Sequence, residues 1–196
     1  MTNTYLTGEE RSALAAARVG IAGAGGLGSN VAAHLVRAGV EKLAIEDFDS
    51  VSESNLNRQF YFRDQLGRQK VEALAENLRR IEPALDLRLH DVRLDEKNMP
   101  EIFADCAIVV EAFDRAEAKA ALYRSIRDRP VVAASGLAGW GRSGAIGLRR
   151  LGRNLWMAGD GASDIRDGLP PQSARVGIAA AIEANTVLAL LLGKEP

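Results

Sequence analysis

Cysteine is nearly absent: Cys106 is the only one in 196 residues. An internal disulfide and a multi-cysteine zinc site are thereby excluded, and Cys106 itself reads as packed inside a strand. Histidine is as scarce. His34 and His90 have no clustered partner in the sequence and read as packing or surface residues. An excess of one charge is lacking too: the formal net charge of -1 argues against broad electrostatic binding of nucleic acid. No long apolar run is uninterrupted. The stretch 177–193 is broken by Glu183, Asn185 and Thr186, so it reads as a buried helix and not a membrane span. Residues 1–10 are polar, without the apolar core of a signal peptide, and a cytoplasmic location is expected.

What the chain does have is a glycine turn in a telling context. Val19-Gly20-Ile21-Ala22-Gly23-Ala24-Gly25-Gly26-Leu27-Gly28 is a predicted strand running through Gly-x-Gly-x-x-Gly into an apolar helix. Gly23, Gly25, Gly26 and Gly28 permit a tight turn and close approach of backbone to phosphate, and the helix N-terminus, with Leu27 in its first turn, offers unpaired N–H groups to an anion. An acid about 20 residues on should hold a ribose hydroxyl, and Asp47, closing the predicted strand 42–47, meets that requirement.

Around this turn the chain alternates. A capping box at Thr7-Gly8-Glu9-Glu10 opens a helix expected through Ala17. Strands are expected over 19–23, 42–47, 86–90, 106–111 and 131–134, and helices over 27–38, 66–81, 99–103 and 116–127. Such alternation predicts an α/β fold of one domain: a mostly parallel, doubly wound, Rossmann-like sheet covered on both faces, with ligand groups at the carboxyl ends of the strands. Segments 144–148 and 154–157 are read as a C-terminal antiparallel extension, closed by a helix over 175–192. Residues 1–17 form the N-terminal helix region, 18–135 the nucleotide-binding core and 136–196 the remainder.

Asp47, Asp49 and Asp114 fall at or just beyond strand ends, facing one crevice. Carboxylates beside a polyphosphate suggest Mg²⁺, which takes few protein ligands; Asp114 is the metal candidate, and Asp49 reads equally well as a turn residue. Asn55, Arg58 and Gln59, followed by Lys70, are the discriminating cluster. A nicotinamide-dependent oxidoreductase would share the turn and the acid but leave these donors and cations unexplained, whereas phosphoryl chemistry with departing pyrophosphate requires them.

Gly23-Ala24-Gly25-Gly26-Leu27-Gly28, Asp47-Phe48-Asp49, Ser54-Asn55-Leu56-Asn57-Arg58-Gln59, Gly67-Arg68-Gln69-Lys70 and Ala112-Phe113-Asp114 together resemble the ThiF/MoeB/HesA superfamily, bacterial relatives of ubiquitin-activating enzymes. The stretches 133–139 and 175–181 resemble the short ThiF group, adenylyltransferases for ThiS, the sulfur carrier of thiamine thiazole synthesis. The resemblance implies ATP and Mg²⁺ as cofactors, attack of a carrier's C-terminal glycine carboxylate on the α-phosphorus, and a homodimer. It also implies roles. Gly25 to Gly28 would line the phosphates and Asp47 hold the ribose; Asn55, Arg58 and Lys70 would contact the phosphates, Gln59 would brace them, and Asp114 would bind Mg²⁺. Residues 136–196 would receive the carrier, with the loop 159–171 over its tail. From the residues themselves, Trp140 and Trp156 read as packing the sheet, with contact to a carrier tail as the alternative for Trp140, and the basic run Arg149, Arg150 and Arg153 reads as a solvated face or as a surface that steers an acidic carrier.

Departures from the pattern matter as much. The Cys-x-x-Cys pairs that hold zinc in longer relatives are missing, so no zinc is expected. Residues 136–168 contain no cysteine, which places sulfur transfer on another protein. Arg11 is the one candidate for an arginine donated across a dimer, although the usual motif around it is absent. A molybdopterin or cysteine-synthesis carrier, the carboxylate of a modified tRNA base, and a non-catalytic carrier-binding module remain as alternatives.

Overall fold

In a computed structural model describing residues 4–196, Thr7 caps helix α1 (Gly8–Ala16). Its hydroxyl accepts the Glu10 N–H, and the Glu10 carboxylate accepts the Thr7 N–H in return, the expected reciprocal box. Residues 1–3, part of the stretch read above as polar and of the N-terminal helix region, lie outside the described residues. The chain continues through β1 (Arg18–Ala22), α2 (Gly26–Ala38), β2 (Lys42–Glu46), α3 (Lys70–Arg79), β3 (Asp86–His90), α4 (Met99–Ile102), β4 (Ile108–Glu111) and α5 (Ala116–Ser125). After these come β5 (Val131–Ala134), β6 (Gly147–Arg150), β7 (Leu155–Gly159) and α6 (Ser173–Leu191).

The strands form a seven-stranded sheet in the order β3-β2-β1-β4-β5-β7-β6. Every neighbouring pair is parallel except β6 with β7. β1, β4 and β5 are buried along their whole length, which is why they lack the alternation of a half-exposed strand, although Arg18 opens β1 and Glu111 closes β4. Ile21 of β1 stands between Ile45 of β2 and Val110 of β4. From β1 the chain winds first towards β3 and later towards β5, so strand order reverses between β1 and β4. A crevice opens beyond the carboxyl ends of the strands at such a switch point.

Leu35 of α2, Leu74 of α3 and Val187 of α6 pack with Ile21 and Ile45 on one face. Met99, Phe103, Leu122 and Ile126 cover the other. α6 is long and apolar enough to cross a membrane by length and composition, with a mean hydropathy of 1.5. Its Val176, Ala180, Ala184 and Val187 nevertheless lie in the core against the sheet.

Some boundaries differ from the sequence expectation for local reasons. α3 begins at Lys70 rather than Leu66, because Gly67 takes a left-handed conformation (φ 82°) and Gln69 bridges Ser50. Residues Ser143–Ala145 form a 3-10 turn, so β6 starts at Gly147, and the antiparallel character is confined to that edge strand because β7 runs parallel to β5. Cys106 lies just before β4 rather than inside it, but it is buried.

Candidate active site

β1 ends at Ala22, and the turn that follows delivers the first residues of α2 to the crevice. Gly23, Gly25, Gly26 and Leu27 line a cavity of about 730 Å³. Gly28 does not line it. A Cβ there would stand 1.8 Å from the Gly23 carbonyl oxygen, so this glycine seats α2 against the strand end. The N–H groups of the first helical turn have no partners within the helix and are suited to an anion.

Asp47 and Lys70 form a buried pair, and the exposed Asp49 joins it from the solvent side. Asp47 accepts the Ala24 N–H on Oδ2 (2.8 Å) and the Asp49 N–H on Oδ1 (2.9 Å), which fixes its carboxylate at the glycine turn. Lys70 Nζ lies 2.8 Å from Asp49 Oδ2 and 3.7 Å from Asp47 Oδ1, with its side chain only 7% exposed. Asp49 is therefore the partner that aims Lys70. The ammonium has three donors, and one remains for a ligand after both acids are served. Burial pushes the Asp47 carboxyl upward against the pull of Lys70 and the two N–H bonds. Beside it, Glu46 is pushed up to about 8, chiefly by burial and then by Asp47 and Asp49, so it carries a proton at neutral pH. Nothing in the sequence distinguished Glu46 from the other residues of β2, yet it lines the cavity.

Loop 52–61 is pinned from several sides. Asn30 of α2 donates to the carbonyl oxygens of Gly26 (2.6 Å) and Arg58 (2.9 Å). Ser29 Oγ accepts the Phe60 N–H (3.0 Å), and Tyr61 donates to the Ala24 carbonyl (2.8 Å). These bonds bring Arg58 and Gln59 into the cavity wall. The Arg58 guanidinium donates to Ser54 O and Asn57 Oδ1, and Asn57 donates in turn to Pro171 O across the cleft (3.3 Å). Gln59 is buried, and its Oε1 has no partner among the described residues. Asn55 is not a lining residue: its Oδ1 accepts the Ser52 N–H (3.1 Å) and closes the turn that carries Arg58.

Across the cavity, Glu111 ends β4 and accepts the Phe113 N–H (2.8 Å), while Lys119 (2.9 Å) and Tyr123 (2.8 Å) hold its carboxylate. That turn presents Asp114, exposed on the cavity wall. Among the described residues no three His, Cys, Asp or Glu side chains group as a metal site. A cation here would be held by Asp114 and ligand oxygens, which fits Mg²⁺ with a polyphosphate. Phe48 and Arg93 also line the cavity, the guanidinium 5.0 Å from the ring centroid, a pairing invisible in the sequence. Arg11 lies in α1, donates to Leu6 O (2.6 Å), and is not among the lining residues of the single chain. Burial, then Asp105, pushes the Cys106 thiol up to about 12, so it is not a nucleophile at neutral pH.

The cavity continues past the glycine turn. Ser135, Gly136, Leu137 and Ala138, in the loop that follows β5, line it with Ser163, Asp164 and Ile165, while Val176 lies against the glycine turn itself, where a Cβ on Gly26 would meet it at 3.2 Å, and Pro171 accepts from Asn57. The part of the cavity formed by 135–138 and 163–165, which begins two strands along the sheet from the glycine turn, is its second compartment.

A model of the ThiF family matches residues 3–154. The chain is 36% identical over 132 residues to the molybdopterin-synthase adenylyltransferase of Haemophilus influenzae, an alignment covering 67% of this chain and 54% of that protein. Against the Salmonella typhimurium protein of the same name the identity is 39% over 107 residues, covering 54% and 43%. The chain thus spans about half the length of these curated relatives. Among solved structures, E. coli tRNA N6-threonylcarbamoyladenosine dehydratase in complex with AMP superposes with a TM-score of 0.87 at 21% identity, over 94% of this chain and 90% of that one. E. coli MccB with AMPCPP and MccA gives 0.73 at 18% identity, over 93% and 57%. Both likenesses support the fold: a Rossmann-like sheet.

Proposed function

The chain belongs to the ThiF family, and from that premise we propose that it adenylates the C-terminal carboxylate of a ubiquitin-like sulfur carrier of the ThiS type, in thiamine thiazole synthesis, using MgATP. The observation that supports the reading is that one cavity is lined both by the glycine turn, Arg58, Lys70 and Asp114 and by residues 135–138 and 163–165.

An α-carboxylate has an ordinary pKa of about 3.3 to 3.7 and is already ionised at neutral pH, so the site needs no strong general base. Its oxygen attacks the α-phosphorus, a new P–O bond forms, the bond to the β-phosphate bridging oxygen breaks, and pyrophosphate leaves with the electron pair. The work left to the protein is alignment and charge stabilisation. Lys70, aimed by Asp49, and Arg58, held by its own loop, would meet phosphate oxygens, and Asp47 a ribose hydroxyl. Phe48 and Arg93 offer an aromatic and guanidinium surface suited to a base. Asp114 would hold Mg²⁺, which neutralises phosphate charge when bound. Loss of one such charge-stabilising donor costs on the order of 10² to 10³ in rate. A cytoplasmic homodimer belongs to the same reading: Ile178, Ile182, Leu188 and Leu191 on α6 are half-buried, while Val187 is used in the chain's own core.

ATP–pyrophosphate exchange with a purified carrier ending in Gly-Gly tests the proposal. Carrier-dependent exchange is expected in the native chain and loss of at least 100-fold in Arg58→Ala and Asp114→Ala. ATP binding without exchange on any carrier would overturn it in favour of another carboxylate acceptor.

A further inference from the structure

Arg175 is a charged residue where burial and the helix dipole both oppose one. It lies in the first turn of α6, where the helix dipole disfavours a cation, and its side chain is 4% exposed. Packing alone would be served better by an apolar residue of similar volume, since a buried ion pair rarely stabilises more than its hydrophobic replacement. The guanidinium instead makes two directed bonds to different segments. Nη1 donates to Gly141 O (2.6 Å) and Nη2 to Asp160 Oδ2 (2.7 Å).

Asp160 spreads that attachment. Its Oδ1 accepts the N–H groups of Ala162 (2.9 Å) and Ser163 (2.8 Å) and the Ser163 hydroxyl (3.1 Å). Against burial, which would raise it, these bonds and Arg175 keep the Asp160 carboxyl at about 2. The Asp160 N–H donates to Gly136 O and the Gly161 N–H to Ser135 O, so the two segments run in close register. A Cβ on Gly136 would meet Asp160 Oδ1 at 2.1 Å, which only glycine avoids. On the other side Gly139 N–H donates to Pro170 O, and Ala138 bridges Pro171. Both walls of the second compartment, 135–138 and 163–165, are thus tied through Asp160 to one guanidinium, in addition to the bonds from β7 and from Pro170 and Pro171 that hold 135–139.

We propose that Arg175 and Asp160 are positioning residues for the acceptor: a buried clamp that sets the spacing of the two loops between which the acceptor's C-terminal segment lies, without touching the nucleotide. The inference rests on the adenylation reading for its kinetic form, though not for its structural form.

Three variants test it: Arg175→Met, Arg175→Lys and Asp160→Asn. In carrier-dependent exchange the acceptor KM rises about tenfold or more in Arg175→Met and Asp160→Asn, kcat changes less, and the ATP KM stays within twofold. Arg175→Lys, which keeps a charge-assisted bond to Asp160, recovers part of the acceptor KM. An equal rise in both KM values, or none, overturns the clamp. Should Arg175→Met fail to fold, the isosteric Asp160→Asn carries the test. Amide hydrogen exchange separates the two claims: at Gly139, Asp160 and Gly161 it is expected to quicken about tenfold in Asp160→Asn, with the glycine turn at 23–28 unchanged. Unchanged exchange at those amides overturns the clamp, whereas absence of pyrophosphate exchange in the native protein overturns the adenylation reading alone.

Discussion

Gly28 and Gly25 belong to one motif, but the distances assign them different work. Alanine at 28 would place its methyl 1.8 Å from the Gly23 carbonyl oxygen, and neither the strand end nor the helix can give way cheaply. Gly28→Ala is expected to lower the unfolding free energy by about 3 kcal/mol, the upper range of overpacking. At Gly25 the nearest atom would be Gln59 Nε2 at 3.9 Å, so Gly25→Ala keeps the urea midpoint near the native value and weakens ATP binding by crowding the phosphate turn. Urea titration and ATP calorimetry on the two variants check the division; equal effects on both readouts would refute it. Glu46 gives a pH prediction. Its folded pKa of about 8 stands above the ordinary carboxylate value of 4.5. The folded state therefore holds a proton that the unfolded chain releases, so its contribution is intact below pH 4.5 and lost as the pH rises through 8. Unfolding free energy should fall across that window by about 1.4 kcal/mol for each pH unit in which only the unfolded chain is ionised. Glu46→Gln should remove this slope, as denaturation at pH 5 and pH 8 would reveal; an unaltered slope would mean that Glu46 is ionised in the fold. Arg58, Lys70 and Asp114 were legible because motif spacing places them. Glu46, Phe48 and Arg93 were not, because their environment is made by chain segments distant in sequence.

At the scale of elements, the core strands and helices were legible because each is long enough to show its period or its unbroken burial. β5 and β3 fall where the sequence puts them, over Val131–Ala134 and Asp86–His90. The starts of α3 and β6 were not legible, since Gly67 and the turn at Ser143–Ala145 take conformations that apolar periodicity does not encode. α6 shows a different limit. Glu183 looked like the interruption that keeps the helix out of a membrane, and it is in fact fully buried, with neither carboxylate oxygen hydrogen-bonded among the described residues. Burial first, then Glu111, raises its pKa well above the usual range, so the helix carries a neutral acid in the core. Such a group costs more than an apolar one. Glu183→Leu should therefore stabilise the protein by about 1 to 3 kcal/mol at pH 7.5 and by less at pH 5, where the unfolded chain no longer gains as much by ionising. A loss of stability at pH 7.5, read by urea titration, would show that Glu183 holds a bond the fold depends on.

For the whole molecule, the cavity draws its wall from both directions of the winding: β2 supplies Glu46 and the turn beyond it Asp47 and Asp49, while the turn after β4 supplies Asp114 and that after β5 the second compartment. A nucleotide seated there would join the two halves of the sheet and bind only the folded chain. At 100 times its dissociation constant it should add about 2.7 kcal/mol to the unfolding free energy. For a chain of this length that corresponds to a rise of roughly 5 to 10 °C in Tm. If Asp114 holds the cation, MgATP stabilises the native chain more than ATP with EDTA does, and Asp114→Ala loses the difference while still responding to ATP. Thermal unfolding with each ligand reads this directly. Stabilisation by a nicotinamide dinucleotide and not by ATP would reverse the assignment, because the glycine turn and Asp47 serve both chemistries and only Arg58, Lys70 and Asp114 distinguish them.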